Sequence, residues 1–206
     1  MFVKKFIYEI MSWTKAIVLA LVLAVALSVF VIQPFTVDGS SMEPTLEGLD
    51  HYDQQKAGDR VFAFKTPYLL GKSPKAGEIV IVDSRIDDER TLMDSFAESP
   101  MLAAFIDRQE DSRHNWVKRV IGEPGDRISI EGGFVYKNGV RLEEEYIYES
   151  IYHDFSEVIV PDDHVFVMGD NRNRSTDSRE IGPVPIDHVT GKVIARFYPF
   201  DRLGTF

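Results

Sequence analysis

The longest feature in the hydrophobic pattern is a run without any charge. Residues Ala16 to Ile32 read AIVLALVLAVALSVFVI, with Ser28 the single hydroxyl. At ~1.5 Å per residue this run makes about 26 Å of helix, at the short end for a membrane span. Trp13 and Phe35 can extend it into the interfaces, where aromatic rings are favoured. A buried core helix would normally keep one polar stripe. The pattern therefore predicts a transmembrane helix over residues 16–33, after a tail of residues 1–15. Ala24-Val25-Ala26 has the small-x-small form of a cleavage site, but Leu27 to Ile32 carry the apolar run past it. An uncleaved signal-anchor is expected.

Beyond residue 33 the pattern shortens to strand-like runs. Arg60 to Phe64 and Glu78 to Val82 are β-rich and follow Gly58-Asp59 and Ala76-Gly77. Trp116 to Ile121 ends at Gly122-Glu123-Pro124-Gly125-Asp126, a strong turn signal. Arg127 to Glu131, Gly132-Gly133 and Phe134 to Tyr136 read as a hairpin, and Asn138-Gly139 as a second tight turn before Val140 to Leu142. Val158 to Pro161, His164 to Met168 and Val189 to Tyr198 complete the set. The expectation is a mainly β domain over 34–206 with a smaller β lobe around 129–163. One segment breaks this reading. Residues 86–115 hold eight acids and three Arg. Thr91-x-x-Asp94 resembles a helix-start box, Ser99-Pro100 places a cap before a first-turn proline, and Met101, Leu102, Phe105 and Ile106 fall at helical spacing. One or two short amphipathic helices, or an acidic surface loop, fit this insert.

Charge sharpens the division. The 206 residues carry 23 Lys+Arg and 33 Asp+Glu, a net charge of -10, which argues against a general nucleic-acid binder. The imbalance is not even. Without Lys4, Lys5, Lys15 and Glu9, the part after the apolar run has 20 basic and 32 acidic residues, a net charge of -12. The positive-inside rule then puts the short tail in the cytoplasm and everything after Gln33 outside. There is no cysteine, which excludes disulfides, thiolate metal sites and cysteine nucleophiles.

Candidate chemistry is spread over three stretches. Gly39-Ser40-Ser41-Met42-Glu43-Pro44-Thr45-Leu46 lies just past the apolar run; a serine in such a turn is either a turn residue or a nucleophile in need of a base. None of the histidines (His51, His114, His153, His164, His188) sits in a base motif. Lys118 lies in an apolar strand beside Arg119, and strand alternation sends the two cations to opposite faces. Buried, Lys118 would lose hydration, its pKa would fall, and a neutral amine could take a serine proton; exposed, it is an ordinary strand lysine. The third stretch, Gly169-Asp170-Asn171-Arg172-Asn173-Arg174-Ser175-Thr176-Asp177-Ser178-Arg179, is dense in groups that build hydrogen-bond networks. Ser175 can orient an amine, and Asp177 can pair with Arg179 or Arg172.

These stretches, with Lys118-Arg119-Val120-Ile121-Gly122-Glu123-Pro124-Gly125-Asp126 between them, occur in the order found in type I signal peptidases, which the chain resembles. Ala76-Gly77-Glu78-Ile79-Val80 resembles the intervening family motif, with Glu78 where Asp is more usual. The resemblance implies a signal-peptidase-like β fold behind one N-terminal transmembrane helix. It implies a membrane-bound serine endopeptidase that removes signal peptides from exported preproteins by a Ser-Lys dyad. Carried over, Ser41 is the nucleophile and Lys118 the general base. Ser175 orients the lysine, and Asp177 and Arg179 support the site. The Ser41 backbone N–H is one oxyanion donor. Some members add a serine hydroxyl two positions earlier, where this chain has Gly39. Phe35, Val37, Met42, Leu46, Trp116 and Val117 match positions that line the substrate pockets, with Leu46 equally suited to the core. No cofactor or metal is implied. The partners implied are preprotein signal peptides, membrane lipid and the export machinery, with no nucleic acid, at a bacterial plasma membrane. A non-catalytic, membrane-anchored peptide-binding relative is the alternative.

Overall fold

The structure, a computed structural model, describes residues 2–49, 58–86, 88, 90–97, 99 and 114–206. Helix α1 spans Phe2–Phe30, 29 residues or about 43 Å at the α-helical rise. From Lys4 onward it is long and apolar enough to cross a membrane. Its apolar side chains stand open: Ile17, Val18, Val22 and Leu23 are all more than half exposed, which is consistent with membrane anchoring. Only near its end do Ser28 and Val29 become buried. The helix stops at Phe30, inside the apolar run. The next residues are claimed by a sheet: β1 (Ile32–Thr36) pairs Ile32 with Phe64 and Gln33 with Ala63 of β2 (Arg60–Phe64).

The remaining elements are β3 (Ile79–Asp83), β4 (Asn115–Gly122), β5 (Arg127–Glu131), β6 (Phe134–Lys137), β7 (Val140–Arg141), β8 (Phe155–Ile159), β9 (His164–Met168), β10 (Val184–Pro185), β11 (Val189–Tyr198) and β12 (Gly204–Thr205). Among the described residues, three short α-helices join them: α2 (Thr66–Leu69), α3 (Leu92–Ala97) and α4 (Ser178–Ile181). The fold is mainly β. One curled, eight-stranded sheet runs β1-β2-β11-β3-β4-β9-β10, with β12 on β11, and a four-stranded sheet runs β7-β6-β5-β8. Every pairing between these strands is antiparallel.

β3 explains why its sequence is a continuous apolar run rather than an alternating one. All five of its residues are buried. Ile79 and Ile81 face a core with Val37, Met42, Leu46, Val61, Ala63 and Val193. Val80 and Val82 face another, with Val120, Val165, Val167, Val184 and Val189. A third cluster, around Ile128, Ile130, Val135 and Phe166, packs the smaller sheet onto β9. The β5–β6 hairpin closes through Gly132 and Gly133, both at positive φ, as a tight two-residue turn demands. α3 begins just after Thr91, whose N–H and hydroxyl both donate to Asp94 at 2.8 Å. The second helical pattern of the insert, through Met101, Leu102, Phe105 and Ile106, lies outside the described residues, as does His51.

Candidate active site

Strand β4 places the two adjacent cations on opposite faces, and each meets a different part of the site. Lys118 is opposite Val80 and shares its face with Val120, both fully buried. Only 4% of Lys118 remains exposed. Its Nζ donates to Ser41 Oγ at 3.0 Å. Burial, the largest influence, pulls the Lys118 pKa down from 10.5 to about 8; the carboxylate of Asp177 pulls the other way, and Arg179 adds to the lowering. Trp116, on the same face of β4, holds its ring 5.5 Å from Nζ and helps to exclude water. The pair can therefore present a partly neutral amine against a hydroxyl, the first requirement for activating a serine.

Arg119 works on the other face. Its Nε and Nη2 hold both oxygens of Asp170, at 2.8 and 2.6 Å, and Nη1 donates to Gly77 O at 2.9 Å. Thr45 Oγ1 donates to Asp170 Oδ2 at 2.6 Å. A fully buried carboxylate thus ties the serine loop, the lysine strand and the Gly169–Arg179 loop together. Asn171 completes the tie: its N–H donates to Ser41 O and its Nδ2 to Ser40 O, each at 3.0 Å. On the far side of the serine loop, fully buried Asp59 accepts from Glu47 N, Arg196 Nη1 and Arg202 Nη2 at 3.0, 2.9 and 2.5 Å. The serine loop is therefore held between two fully buried carboxylates, each paired with arginine.

Glycine permits the closest approaches. A Cβ on Gly169 would fall 2.3 Å from Ser175 Oγ and 2.4 Å from Ser41 O. A Cβ on Gly48 would fall 1.8 Å from Gly39 O, so the Gly39 backbone rests directly on Gly48. No hydrogen bond among the described residues uses the Ser41 N–H. Ser175 stands beside the pair, but its hydroxyl points to Thr176 O at 3.5 Å rather than to Lys118. Asp177 is fully buried. It accepts from Gly169 N at 3.0 Å and from Arg179 Nε and Nη2 at 2.8 Å each. Arg172 does not join it and instead pairs with Glu144.

The Ser41–Lys118 pair lies on a cleft of about 930 Å³. One wall is β1 and the loop after it, with Phe35, Val37 and Gly39; the other is β4, with Trp116 and Val117; Arg174 and Thr176 close one side. Two expected pocket residues are not brought to these walls. Met42 and Leu46 are 1% and 0% exposed and pack in the core with Val61 and Ile81, because the serine loop turns their side chains under the sheet. Asp59, Asn171 and Gly169 are site residues that sequence reading missed. Asp59 carried only a turn signal beside Gly58, while Asn171 and Gly169 lay inside a stretch read as a network without assigned roles.

A serine and a desolvated amine on the floor of an open cleft make the layout of an acyl-transfer hydrolase that needs no histidine; no histidine lines the cleft among the described residues. A family model for signal peptidase, peptidase S26, matches residues 10–198. The signal peptidase I of Bacillus licheniformis is 33% identical over 206 residues, covering 95% of this chain and 92% of that protein. A probable signal peptidase I-2 of Synechocystis is 35% identical over 190 residues, covering 92% and 74%. A crystal structure of a signal peptidase I from Enterococcus faecalis V583 aligns with a TM-score of 0.42 at 27% identity, covering 59% of this chain and 97% of that one. The chain belongs to the signal peptidase family, peptidase S26. It is a serine endopeptidase, a hydrolase of peptide bonds.

Proposed function

We propose that this enzyme cuts signal peptides from exported preproteins, with Ser41 as nucleophile and Lys118 as general base. The observation that carries this reading is the buried amine 3.0 Å from Ser41 Oγ, with a pKa drawn down to about 8. The amine takes the Ser41 proton as Oγ attacks the scissile carbonyl. The resulting ammonium returns a proton to the leaving amine, and water then attacks the acyl-enzyme with the same base assisting. The unused Ser41 N–H is one donor for the tetrahedral oxyanion. Gly39 supplies no hydroxyl, so a backbone group or a water could supply the second donor. Ser175, whose hydroxyl lies against Gly169 beside the serine loop, orients the amine. Asp177 and Arg179 hold the loop that carries Ser175.

The substrate enters as an extended chain between β1 and β4. β9 pairs with β4 only from Arg119 onward, and β1 is the outermost strand on its side of the sheet. Backbone bonding to such edges is independent of sequence, while Phe35, Val37, Trp116 and Val117 set the pocket size. α1 spans the plasma membrane, with the basic tail of residues 1–15 in the cytoplasm and the catalytic domain outside. The test is cleavage of a preprotein in detergent. Ser41→Ala and Lys118→Met should each lose activity by several orders of magnitude. In the wild type, kcat/KM should fall about tenfold per pH unit below pH ~8. A rate flat down to pH 5, or either variant cutting like wild type, would exclude the dyad.

A further inference from the structure

Two connections that play no part in the cleft meet at the end of α1. The first is the α2 turn. Thr66 Oγ1 donates to Phe30 O at 2.8 Å, and Lys65 N donates to Val31 O at 2.9 Å, so this turn is fixed against the helix exit. At its end Leu69 and Leu70 stand 43% and 75% exposed, followed by the exposed Lys72. The second is α3, in the acidic insert. Phe96 packs edge-on against Phe30 with ring centres 5.9 Å apart, and Ser99 reaches Ser28 at 3.4 Å. Met93, on the same short helix, is 74% exposed.

The arrangement has a directional logic. Phe30 is itself 40% exposed and belongs to the helix read as the membrane span. Thr66 and Phe96, bonded or packed to its last turn, stand at the depth where that helix leaves the lipid, and Leu69, Leu70 and Met93 follow or precede them by three or four residues on the same short helical turns. Three large apolar side chains left open to water there would cost free energy; set into the boundary between acyl chains and headgroups, they would gain it. Lys72 can extend its ammonium toward the lipid phosphates. The one carboxylate of α3 with a described side chain, Asp94, is satisfied by Thr91 and does not oppose this placement.

We propose that the α2 turn and α3 form a lipid-facing collar around the exit of α1, with Leu69, Leu70 and Met93 inserted at the headgroup boundary. This assigns the α3 part of the acidic insert a membrane-docking role, and it rests on the reading of α1 as a span. The absence of cysteine makes the test direct. Single variants Leu70→Cys, Met93→Cys, Val22→Cys and Tyr152→Cys are labelled with an environment-sensitive fluorophore. They are placed in phosphatidylcholine vesicles containing lipids brominated either near the headgroup or near the chain end. Cleavage of a soluble peptide at the wild-type rate certifies that each labelled protein is folded. The collar predicts that shallow bromines quench positions 70 and 93 several-fold more than position 152, and that deep bromines quench position 22. If position 22 is quenched while 70 and 93 behave like 152, the collar is wrong and the span stands. A protein partner would then be the occupant of these faces. If position 22 also behaves like 152, span and collar fall together.

Discussion

Lys118 is held where an ammonium is poorly solvated, and that has a thermodynamic signature separate from catalysis. A fall from 10.5 to about 8 corresponds to roughly 3 kcal/mol disfavouring the charged form. Between these two values the unfolded chain binds more protons than the native one, so stability rises with pH across that window. Below pH ~8 the full penalty is in force. Lys118→Met should therefore be more stable than wild type at pH 7, by roughly 1–3 kcal/mol after the lost bond to Ser41 is allowed for. The gain should fade toward pH ~10. Urea midpoints measured across this range check it, and equal stability at pH 7 would count against a desolvated amine. Gly169 makes the complementary point about space. Gly169→Ala drives a methyl into Ser41 O and Ser175 Oγ, so kcat should fall about a hundredfold or more, measured against the folded fraction. Strand alternation separated Lys118 from Arg119 but left open which of them turns inward; the family resemblance, not alternation, singled out Lys118. The need for glycine at 169 was not legible, because it arises only where two loops distant in sequence touch.

At the scale of elements, the serine loop is not a regular structure and depends on its neighbours for shape. Asp170, through Arg119 and Thr45, is the strongest of these holds. Asp170→Ala would leave the Arg119 guanidinium buried beside an empty acceptor site and should cost about 3–5 kcal/mol, read as a lower denaturant midpoint. Asp170→Asn, which keeps an acceptor, should cost less. Most strands were legible because β-branched runs between turn residues have few other fates; β2, β5, β9 and β11 begin and end where the pattern placed them. β1 was not, because Ile32 belongs to the same apolar run as the helix before it, and only pairing with β2 distinguishes the two. β8 begins at Phe155, ahead of the apolar Val158-Ile159-Val160 signal, because the partner strand β5 extends the ladder into polar residues. Met42 was expected on the pocket walls and lies beneath them, while Leu46 takes the core place held equally open for it, since composition does not reveal which way an irregular loop turns its side chains.

For the whole molecule, the net charge of -10 now has a spatial form. The acids lie almost wholly in the domain beyond α1, while the cleft is lined by Lys118, Arg60 and Arg174 together with Asp38. The direct junction between α1 and β1 has a consequence for substrate choice. Only Val31 separates the helix from the strand that forms one cleft wall, so there is no flexible linker. Were α1 to span the bilayer as proposed, the cleft would stand at a set height above it, and the enzyme would act as a ruler. It would cut at the bond that lies a fixed reach from the end of the substrate's own apolar stretch. A Gly-Ser pair inserted between Val31 and Ile32 should lengthen that reach. Mass spectrometry of a membrane-embedded preprotein should then find the cut displaced or slowed, while a soluble peptide is cleaved at the unchanged bond.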